Sequence, residues 1–242
     1  VAESWKEPIH WYRTNLLSQV AFHDKLRKRN FVKKYVHIST PEVYGSTNGW
    51  IRENHNFNPT TPYSVSRAAC DKHLISFYKA YKFPVVFTRA ANVYGPGQQL
   101  YRIIPRTILS IRSGKPLLLH GGGYSKRSFI HINDVVKATL ELTLNGDIGT
   151  CWHISSKEAI SIRSLVKKIC EITNFPFENI VKEVGERLGK DQNYLLDSNS
   201  IRKEHNWTDT INLEEGIKET ISWVDKHFDK LKNLPWEYIH KK

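Results

Sequence analysis

Methionine, paired cysteines and metal-ligand spacings are all missing from this sequence of 242 residues. No methionine occurs anywhere, including at position 1, so we expect the chain to begin inside a longer protein. The three cysteines form no Cys-x-x-Cys pair, which suits a reducing compartment and argues against a disulfide framework. The eleven histidines show no spacing such as HExxH. We therefore expect a cytoplasmic protein without a metal site.

Long apolar runs are missing as well, since no stretch of about 18 apolar residues occurs. The first five residues have neither the basic nor the apolar region of a signal peptide. We therefore expect neither a membrane span nor a membrane partner. Hydrophobic residues make up 40% of the chain and aromatic residues 12%, which is typical of a globular protein with a core. The length allows one large domain or two small ones.

Positive charge is in excess, with a formal net charge of +12. Such a bias invites a nucleic-acid partner. The densest basic run covers residues 25–34 and sits at the end of an amphipathic segment, so we interpret it as a solvated helix end. The remaining charge is widely spread, and no motif that reads DNA or RNA is present. We expect no nucleic-acid partner, because an anionic small molecule satisfies the same bias.

Helix and strand patterns alternate in the first part of the chain. The sequence predicts a helix over 8–29, a strand at 35–39, a loop over 40–62, a helix over 63–81 and a strand at 84–88. This order is typical of an α/β fold with a parallel sheet, where ligands bind at the carboxyl ends of the strands. Residues 40–42 and 90–92 follow two such ends, so we expect chemistry there.

The pattern of predicted helices and strands changes after residue 96. From there on the sequence predicts helices over 103–112, from a cap at Asn133 or Asp134 to 144, and over 162–173, 199–205 and 213–232. Strands are predicted at 117–120, 129–132 and 153–154 and near 181. We predict that residues 1–96 form a partial dinucleotide-binding domain, doubly wound and Rossmann-like, which lacks its N-terminal part and carries the catalytic residues. Residues 97–242 would form a smaller mixed α/β substrate lobe, with some chain crossing back to the sheet.

Tyr63 and Arg67 are four residues apart in a predicted helix. Residues at this spacing lie on one helix face. A nearby cation favours the phenolate over the phenol, so such a tyrosine can accept a proton from an alcohol. The pair is common by chance, and other motifs must support it.

Five stretches in the same order carry a resemblance to a known family. They are 37–45 (HISTPEVYG), 62–69 (PYSVSRAA), 89–96 (RAANVYGP), 114–116 (GKP) and 127–135 (RSFIHINDV). Together they resemble the extended short-chain dehydrogenase/reductase family of NAD-dependent epimerases and dehydratases. Within that family the chain is most similar to the dTDP-glucose 4,6-dehydratases, and the likeness runs from residue 1 to about 223.

The resemblance implies a reaction that uses NAD, with the catalytic residues Thr40, Glu42, Tyr63 and Arg67. Oxidation at carbon 4 of a nucleotide-linked hexose is followed by elimination of water and re-reduction at carbon 6. Tyr63 would remove the hydroxyl proton, Thr40 would align it, and Glu42 would take the proton from carbon 5. Oxidation at carbon 4 acidifies that proton, so a carboxylate can serve as the base. The cofactor-binding residues implied by the resemblance are Ser39, Tyr63, Arg67 and Ala90.

Five further residues match substrate contacts of the family. Asn92 would lie near the sugar and diphosphate, and Arg102 replaces a lysine that faces the nucleotide. His120 stands where an aromatic residue stacks on the base. Arg127 would bind the diphosphate, whose oxygens suit a bidentate guanidinium. Arg187 begins a stretch that resembles the segment closing the nucleotide pocket.

Three departures from the family pattern keep other functions open. Pro41 replaces an aspartate that protonates the leaving hydroxyl, and Arg67 replaces a lysine. The glycine-rich phosphate-binding turn of the βαβ unit is absent, since Gly121, Gly122 and Gly123 precede a strand.

The alternatives are an epimerase or decarboxylase of the same family and a catalytically weak nucleotide-sugar-binding protein. The base and the sugar stay open. Relatives imply a homodimer through the helices at 8–29 and 63–82.

Overall fold

The computed structural model describes residues 2–29, 31–186, 189 and 191–241. The α-helices are α1 (Pro8–Tyr12), α2 (Ser18–Arg27), α3 (Pro62–Tyr81), α4 (Ile103–Ser113), α5 (Ile132–Asn145), α6 (Ile162–Ile172), α7 (Asn199–Glu204), α8 (Leu213–Lys226) and α9 (Phe228–Leu231). The strands are β1 (Tyr35–Ile38), β2 (Trp50–Ile51), β3 (Val85–Ala90), β4 (Asn92–Tyr94), β5 (Leu117–His120), β6 (Lys126–Arg127), β7 (Phe129–His131), β8 (Cys151–Ile154), β9 (Ile160–Ser161), β10 (Val181–Val184) and β11 (Asn193–Leu196).

Three parallel strands form the central sheet, in the order β1-β3-β8. Parallel neighbours need long crossover connections, and α3 lies in the connection between β1 and β3. The first five residues of β3 are fully buried, as expected for a strand covered on both faces. The predicted α/β fold with a parallel, Rossmann-like sheet is confirmed.

Smaller sheets lie beside the central one. β5 pairs in parallel with β10, and β4 with β7. A four-stranded sheet in the order β2-β11-β6-β9 joins the loop after β1 to the second half of the chain. β2 and β11 were not predicted, because two-residue and four-residue strands leave little periodicity in a sequence.

The predicted helix over 8–29 is divided into α1, a π-helical stretch (Arg13–Leu17) and α2. These segments pack against α3. At the start of α3, the Thr61 hydroxyl accepts from the Ser64 amide, and the Ser64 hydroxyl accepts from the Thr61 amide. This capping box fixes the first turn. Pro62 is therefore the first residue of the helix and does not merely precede it.

Two predictions about helix ends are wrong. His131, and not Asn133 or Asp134, caps α5, because its ring nitrogen accepts from the Asn133 amide at 3.4 Å. Asp134 instead accepts from the Ile211 amide and the Thr210 hydroxyl, which ties α5 to the segment before α8. The C-terminal helix predicted over 213–232 is interrupted at His227, between α8 and α9.

The apolar core has two main clusters. One contains residues of α4, α6, α8 and β5, and the other contains residues of β3, β8 and α5. The predicted division of the chain at residue 96 stays a prediction. In the part of the chain that the structure describes, no helix is both long and apolar enough to span a membrane.

Candidate active site

Glu42 lies in a short 3-10 helix, Pro41–Tyr44, just after β1. Thr40 caps this helix, since its hydroxyl oxygen accepts from the Glu42 amide at 3.3 Å. The turn ends at Gly45, which has a φ of 65°, and a Cβ there would lie 2.2 Å from the Asn58 carbonyl oxygen. Only glycine fits such a position. This rigid turn holds the Glu42 side chain at the carboxyl end of β1.

Charge and burial around Glu42 adjust its acidity. Burial raises the pKa of its carboxyl to about 7, and the negative charge of Asp191 contributes in the same direction. The positive charges of Arg102 and Arg127 oppose the rise. A carboxyl group with this pKa can both accept and release a proton near neutral pH. Glu42 is therefore suited to acid–base chemistry.

Tyr63 lies in the first turn of α3 and faces the same space. Burial raises the pKa of its phenol, and the charge of Glu42 raises it further. The charge of Arg67 and a hydrogen bond with Thr40 act in the opposite direction. Such effects require short distances. The structure therefore brings Thr40, Glu42, Tyr63 and Arg67 together, although burial outweighs the cation that was expected to favour the phenolate.

Arg67 lies one turn after Tyr63 on α3. Its Nη2 donates to the carbonyl oxygen of Ile38 at the end of β1. Its Nε is buried and has no hydrogen-bond partner among the described residues. An unpaired buried donor is costly and calls for an explanation. Arg67 thus presents a free N–H that an oxygen atom of a bound molecule could accept.

Ser39 and Ala90 lie at the carboxyl ends of the neighbouring strands β1 and β3. The Ser39 amide donates to the Thr88 carbonyl oxygen at 2.8 Å, which keeps the two ends side by side. The Ser39 hydroxyl donates to Asp71 at 2.7 Å. In the structure this hydroxyl therefore belongs to a buried polar network beneath the site.

The buried network is centred on Asp71 and Arg89, whose side chains are fully buried and form an ion pair at 2.7 Å. His37 lies 3.1 Å from the same carboxylate. Arg89 also donates to the Tyr44 hydroxyl at 2.8 Å, next to the turn that carries Glu42. The network joins β1, α3, β3 and the Glu42 turn, and it fixes the floor of the site.

Asn92 and Arg127 are joined through Tyr194 of β11. The Tyr194 hydroxyl donates to the side-chain oxygen of Asn92 at 3.0 Å, and the Arg127 guanidinium lies 4.0 Å from the centre of the Tyr194 ring. Arg127 is buried and donates to the carbonyl oxygens of Asp191 and Gln192. Its predicted contact with a diphosphate would require some of these bonds to be exchanged.

The other predicted substrate residues lie at different places. Arg102 is exposed at the N-terminus of α4, and its charge reaches both Glu42 and Tyr63. His120 lies at the end of β5, where its Nδ1 is 3.1 Å from the Gly185 carbonyl oxygen. Arg187 lies outside the described residues.

Three residues of the site were missed by the sequence reasoning. The charge of Asp191 raises the pKa of Glu42, and its carboxylate accepts hydrogen bonds from Ser46 and Thr60. Asp191 is also the last residue of the stretch that Arg187 begins, so the sequence offered a usable signal for it. The sequence contains no signal for Tyr194 and Trp11, because both lie outside the motifs and only the fold brings them to the site. The Trp11 ring meets the Tyr63 ring edge-on, with centroids 5.4 Å apart.

Comparison with known proteins identifies the family of this chain. The model of the GDP-mannose 4,6 dehydratase family matches residues 1–220. The chain belongs to this family. The resemblance to NAD-dependent epimerases and dehydratases noted in the sequence is thereby confirmed.

Three known proteins show what this chain is similar to. The dTDP-D-glucose 4,6-dehydratase of Mus musculus is 32% identical over 231 residues, covering 93% of this chain. A trifunctional UDP-glucose 4,6-dehydratase of Arabidopsis thaliana is 30% identical, covering 94% of this chain. The crystal structure of DesIV, a dTDP-glucose 4,6-dehydratase from Streptomyces venezuelae with NAD bound, aligns with a TM-score of 0.90 at 26% identity and covers 95% of this chain.

The chain is shorter than these proteins. It spans 63% of the mouse protein, 34% of the Arabidopsis protein and 71% of the DesIV chain. Three different nucleotides occur in the names of the family and of these relatives, namely GDP, dTDP and UDP. The comparisons therefore establish the family and the fold, and they leave the nucleotide open.

Proposed function

We propose that this chain is the catalytic part of an NAD-dependent sugar-nucleotide 4,6-dehydratase, of the type that acts on dTDP-glucose. The observation that carries the proposal is the pairing of Glu42, whose pKa is raised to about 7, with the Tyr63 phenol. An alcohol oxidation and an elimination need two different proton acceptors in one small space. The site supplies both.

Each residue of the cluster has a defined task in this reaction. Tyr63 takes the proton of the hydroxyl at carbon 4, and Thr40 holds that hydroxyl and the phenol in line. Glu42 takes the proton from carbon 5 after oxidation at carbon 4 has acidified it. Because Glu42 then carries that proton near neutral pH, it can also deliver it to the hydroxyl that leaves from carbon 6.

NAD, when bound, would supply the hydride acceptor at carbon 4 and the hydride donor at carbon 6. The unpaired Nε of Arg67 fits an oxygen of its ribose, and Ser39 and Ala90 lie at the strand ends beside it. Arginine differs from the usual lysine by its planar, permanently charged group. The residues present therefore fit the cofactor on the nicotinamide side.

The pyrophosphate side needs a glycine-rich βαβ unit outside these 242 residues. In the described part of the chain β1 pairs only with β3, so it lies at an edge where a further parallel strand can add. Ile38 is exposed at this edge, and α5 presents an exposed apolar stripe at helical spacing, formed by Val136, Leu140 and Leu144. We propose that this face of the sheet receives the missing unit.

The activity can be tested directly. The natural polypeptide that contains this chain is incubated with NAD and with dTDP-glucose, UDP-glucose or GDP-mannose, and the alkali-induced absorbance of a 4-keto sugar is recorded. Formation of the 4-keto sugar with one of the three supports the proposal and names the nucleotide. Bound NAD without any 4-keto product would reject the dehydratase.

Pro41 favours a second candidate, an epimerase or decarboxylase that oxidises carbon 4 but eliminates no water. Its side chain has no proton to give, and it is buried as the first residue of the 3-10 helix. Elimination would then depend on Glu42 or water as the acid. NMR analysis of the products separates the candidates, because an epimerase inverts a carbon centre and keeps the hydroxyl on carbon 6.

We also propose that the protein is a homodimer through α1, α2 and α3. Apolar side chains on these helices and on the π-helical stretch between α1 and α2 are exposed in the single chain, namely Ile9, Leu17, Phe22 and Val65. A second copy would cover them, and such patches usually mark an interface. Sedimentation equilibrium tests this, since a monomer at micromolar concentration would contradict it.

A further inference from the structure

The last residues of the chain cross the molecule as an extended segment, residues 235–241, which we call the C-terminal strap. Its first part is anchored on the second half of the fold. Trp236 is buried, and its indole N–H donates to the Leu231 carbonyl oxygen at 3.0 Å. Arg106 of α4 donates to the Trp236 carbonyl oxygen and to the Glu237 carboxylate, each at 2.8 Å. The strap therefore starts from a fixed point.

The second part of the strap lies against the first helix of the chain. The rings of His240 and His10 lie side by side, with centroids 5.3 Å apart and planes 4° from parallel. Their Nε2 and Nδ1 atoms lie 3.1 Å apart, so one ring donates a hydrogen bond to the other. The Tyr238 ring stacks on Trp11 at 6.4 Å and meets Tyr101 edge-on at 5.5 Å. These three ring contacts together define the position of the strap.

Trp11 continues this chain of contacts into the candidate active site. Its ring meets the Tyr63 ring edge-on at an interplanar angle of 87°. Its indole Nε1 is buried and has no hydrogen-bond partner within the described ranges. Since no hydrogen bond fixes this ring, its orientation depends on the rings of Tyr238, His240 and Tyr63 around it.

The strap and the helix also leave open space beside this ring. A cavity of about 320 Å³ lies between them, and its walls include His10, Trp11, Tyr238 and His240. Empty space next to an aromatic ring lets it change its rotamer when a neighbouring wall is removed. Without the far end of the strap, Trp11 would therefore have room to turn away from Tyr63.

We propose that the C-terminal strap positions Tyr63 through Trp11. Tyr238 and His240 are the positioning residues, and Trp11 transmits their contact to the phenol ring. Tyr238 also contacts Tyr101. Tyr101 is the residue before Arg102, whose charge acts on both Tyr63 and Glu42. The strap therefore couples the substrate lobe to the catalytic tyrosine.

Hydrogen–deuterium exchange of the whole chain tests this without any activity. A variant that ends at Glu237 keeps the anchor and loses the far end of the strap, and the double variant Tyr238→Ala, His240→Ala removes only the rings. Both are expected to accelerate exchange in α1 and in the first turn of α3, and to leave β3 unchanged. Unchanged exchange in α1 would overturn the proposal, as would equal acceleration throughout the protein, which would make the strap a general stabiliser.

Two further variants distinguish a positioning role from a purely structural one. Ile239→Ala is the matched control, because this side chain lies in the same strap and is 60% exposed. It should leave exchange unchanged. Tyr238→Phe keeps the ring and should retain the slow exchange that the double variant loses, while accelerated exchange in Tyr238→Phe would contradict a role for the ring contacts.

A kinetic measurement, which rests on the proposed function, completes the test. In the active protein the double variant should lower kcat by about tenfold to a hundredfold, since small displacements of a reacting group have effects of this size. KM should change little. A rise in KM with unchanged kcat would overturn the positioning of Tyr63. An inactive parent protein would reject the proposed function, and the exchange experiment would still decide the role of the strap.

Discussion

Glu42 and Tyr63 occupy one small volume, and the charge of Glu42 adds to the effect of burial on the acidity of Tyr63. Negative charge on Glu42 makes the phenolate of Tyr63 harder to form, and burial does the same for both groups. The two groups therefore resist being charged together. Such a pair is suited to a reaction in which one proton is taken before the other.

The pH dependence of the reaction should reveal Glu42. Its folded pKa of about 7 lies above the ordinary 4.5, so the carboxylate that accepts a proton forms only as the pH rises through 7. The rate of exchange of the carbon 5 proton should therefore increase with pH up to about 7 and then level off. Glu42→Gln should lower this rate by about 10²–10⁴-fold and remove that limb of the profile. NMR of deuterium incorporation from solvent at carbon 5 measures this rate. If the rate in the Glu42→Gln variant still rose with pH up to about 7, a residue other than Glu42 would be the base.

Arg67 can be examined by a single conservative change. Arg67→Lys keeps the positive charge near Tyr63 and restores the residue typical of the family. We expect the oxidation of carbon 4 to be kept or accelerated, because the role of the cation is to favour the phenolate. Stopped-flow absorbance of NADH in a single turnover is the measurement. A collapse of NADH formation would show that the Arg67 guanidinium, with its bond to Ile38, has a separate task.

At the scale of elements, the site depends on the polar network that ties α3 to the central sheet. Burial alone would raise the pKa of Asp71, but hydrogen bonding to His37 and the charge of Arg89 outweigh it and hold the pKa below its ordinary value. The ionised pair therefore stabilises the fold above the ordinary carboxyl pKa, and this contribution is lost as the pH falls through the lowered value.

Removing one partner of this pair should be costly. Asp71→Ala leaves Arg89 charged and buried, so we expect the free energy of unfolding to fall by about 3–5 kcal/mol. Urea denaturation at pH 7 measures the change. Asp229→Ala is the control, because that carboxylate lies on the surface, where such changes are about 0.5 kcal/mol or less. Equal effects of the two substitutions would contradict a central role for the network.

At the scale of the whole molecule, the proposed function requires a site built from two parts, of which this chain would supply one. In the described part of the chain β1 forms an edge of the central sheet, and we propose that a further βαβ unit adds there, beside the exposed stripe on α5. The residues that would hold the nicotinamide side are present, and the phosphate-binding turn is not part of these 242 residues.

Calorimetry with NAD distinguishes the two parts. We expect the 242-residue chain by itself to bind NAD weakly, because no helix N-terminus with a glycine-rich turn receives the pyrophosphate. A form of the protein that also carries a glycine-rich βαβ unit should bind it at least about a hundredfold more tightly, a difference of about 2.7 kcal/mol. Tight binding of NAD by the 242-residue chain would contradict this division.

Sequence reasoning determined the family resemblance, the α/β class and most of the long elements. Local information suffices for these, because α3, α4 and α6 carry their periodicity and capping signals in consecutive residues. The motif residues Thr40, Glu42 and Tyr63 were also identified from short stretches. The cap of α5 was not, because His131 competes with two better-known capping residues beside it.

Only the tertiary structure decided the acidity of Glu42, the bonds of Arg127 and the reach of the C-terminal strap. Each depends on residues far apart in the chain: Asp191 beside Glu42, the backbone of residues 191–192 against Arg127, and His240 against His10. Charges, buried donors and ring contacts have their effects only on groups that are close in space, and a linear sequence does not contain those distances. The sequence identified the candidate reacting groups, and the fold determines their acidity and their positions.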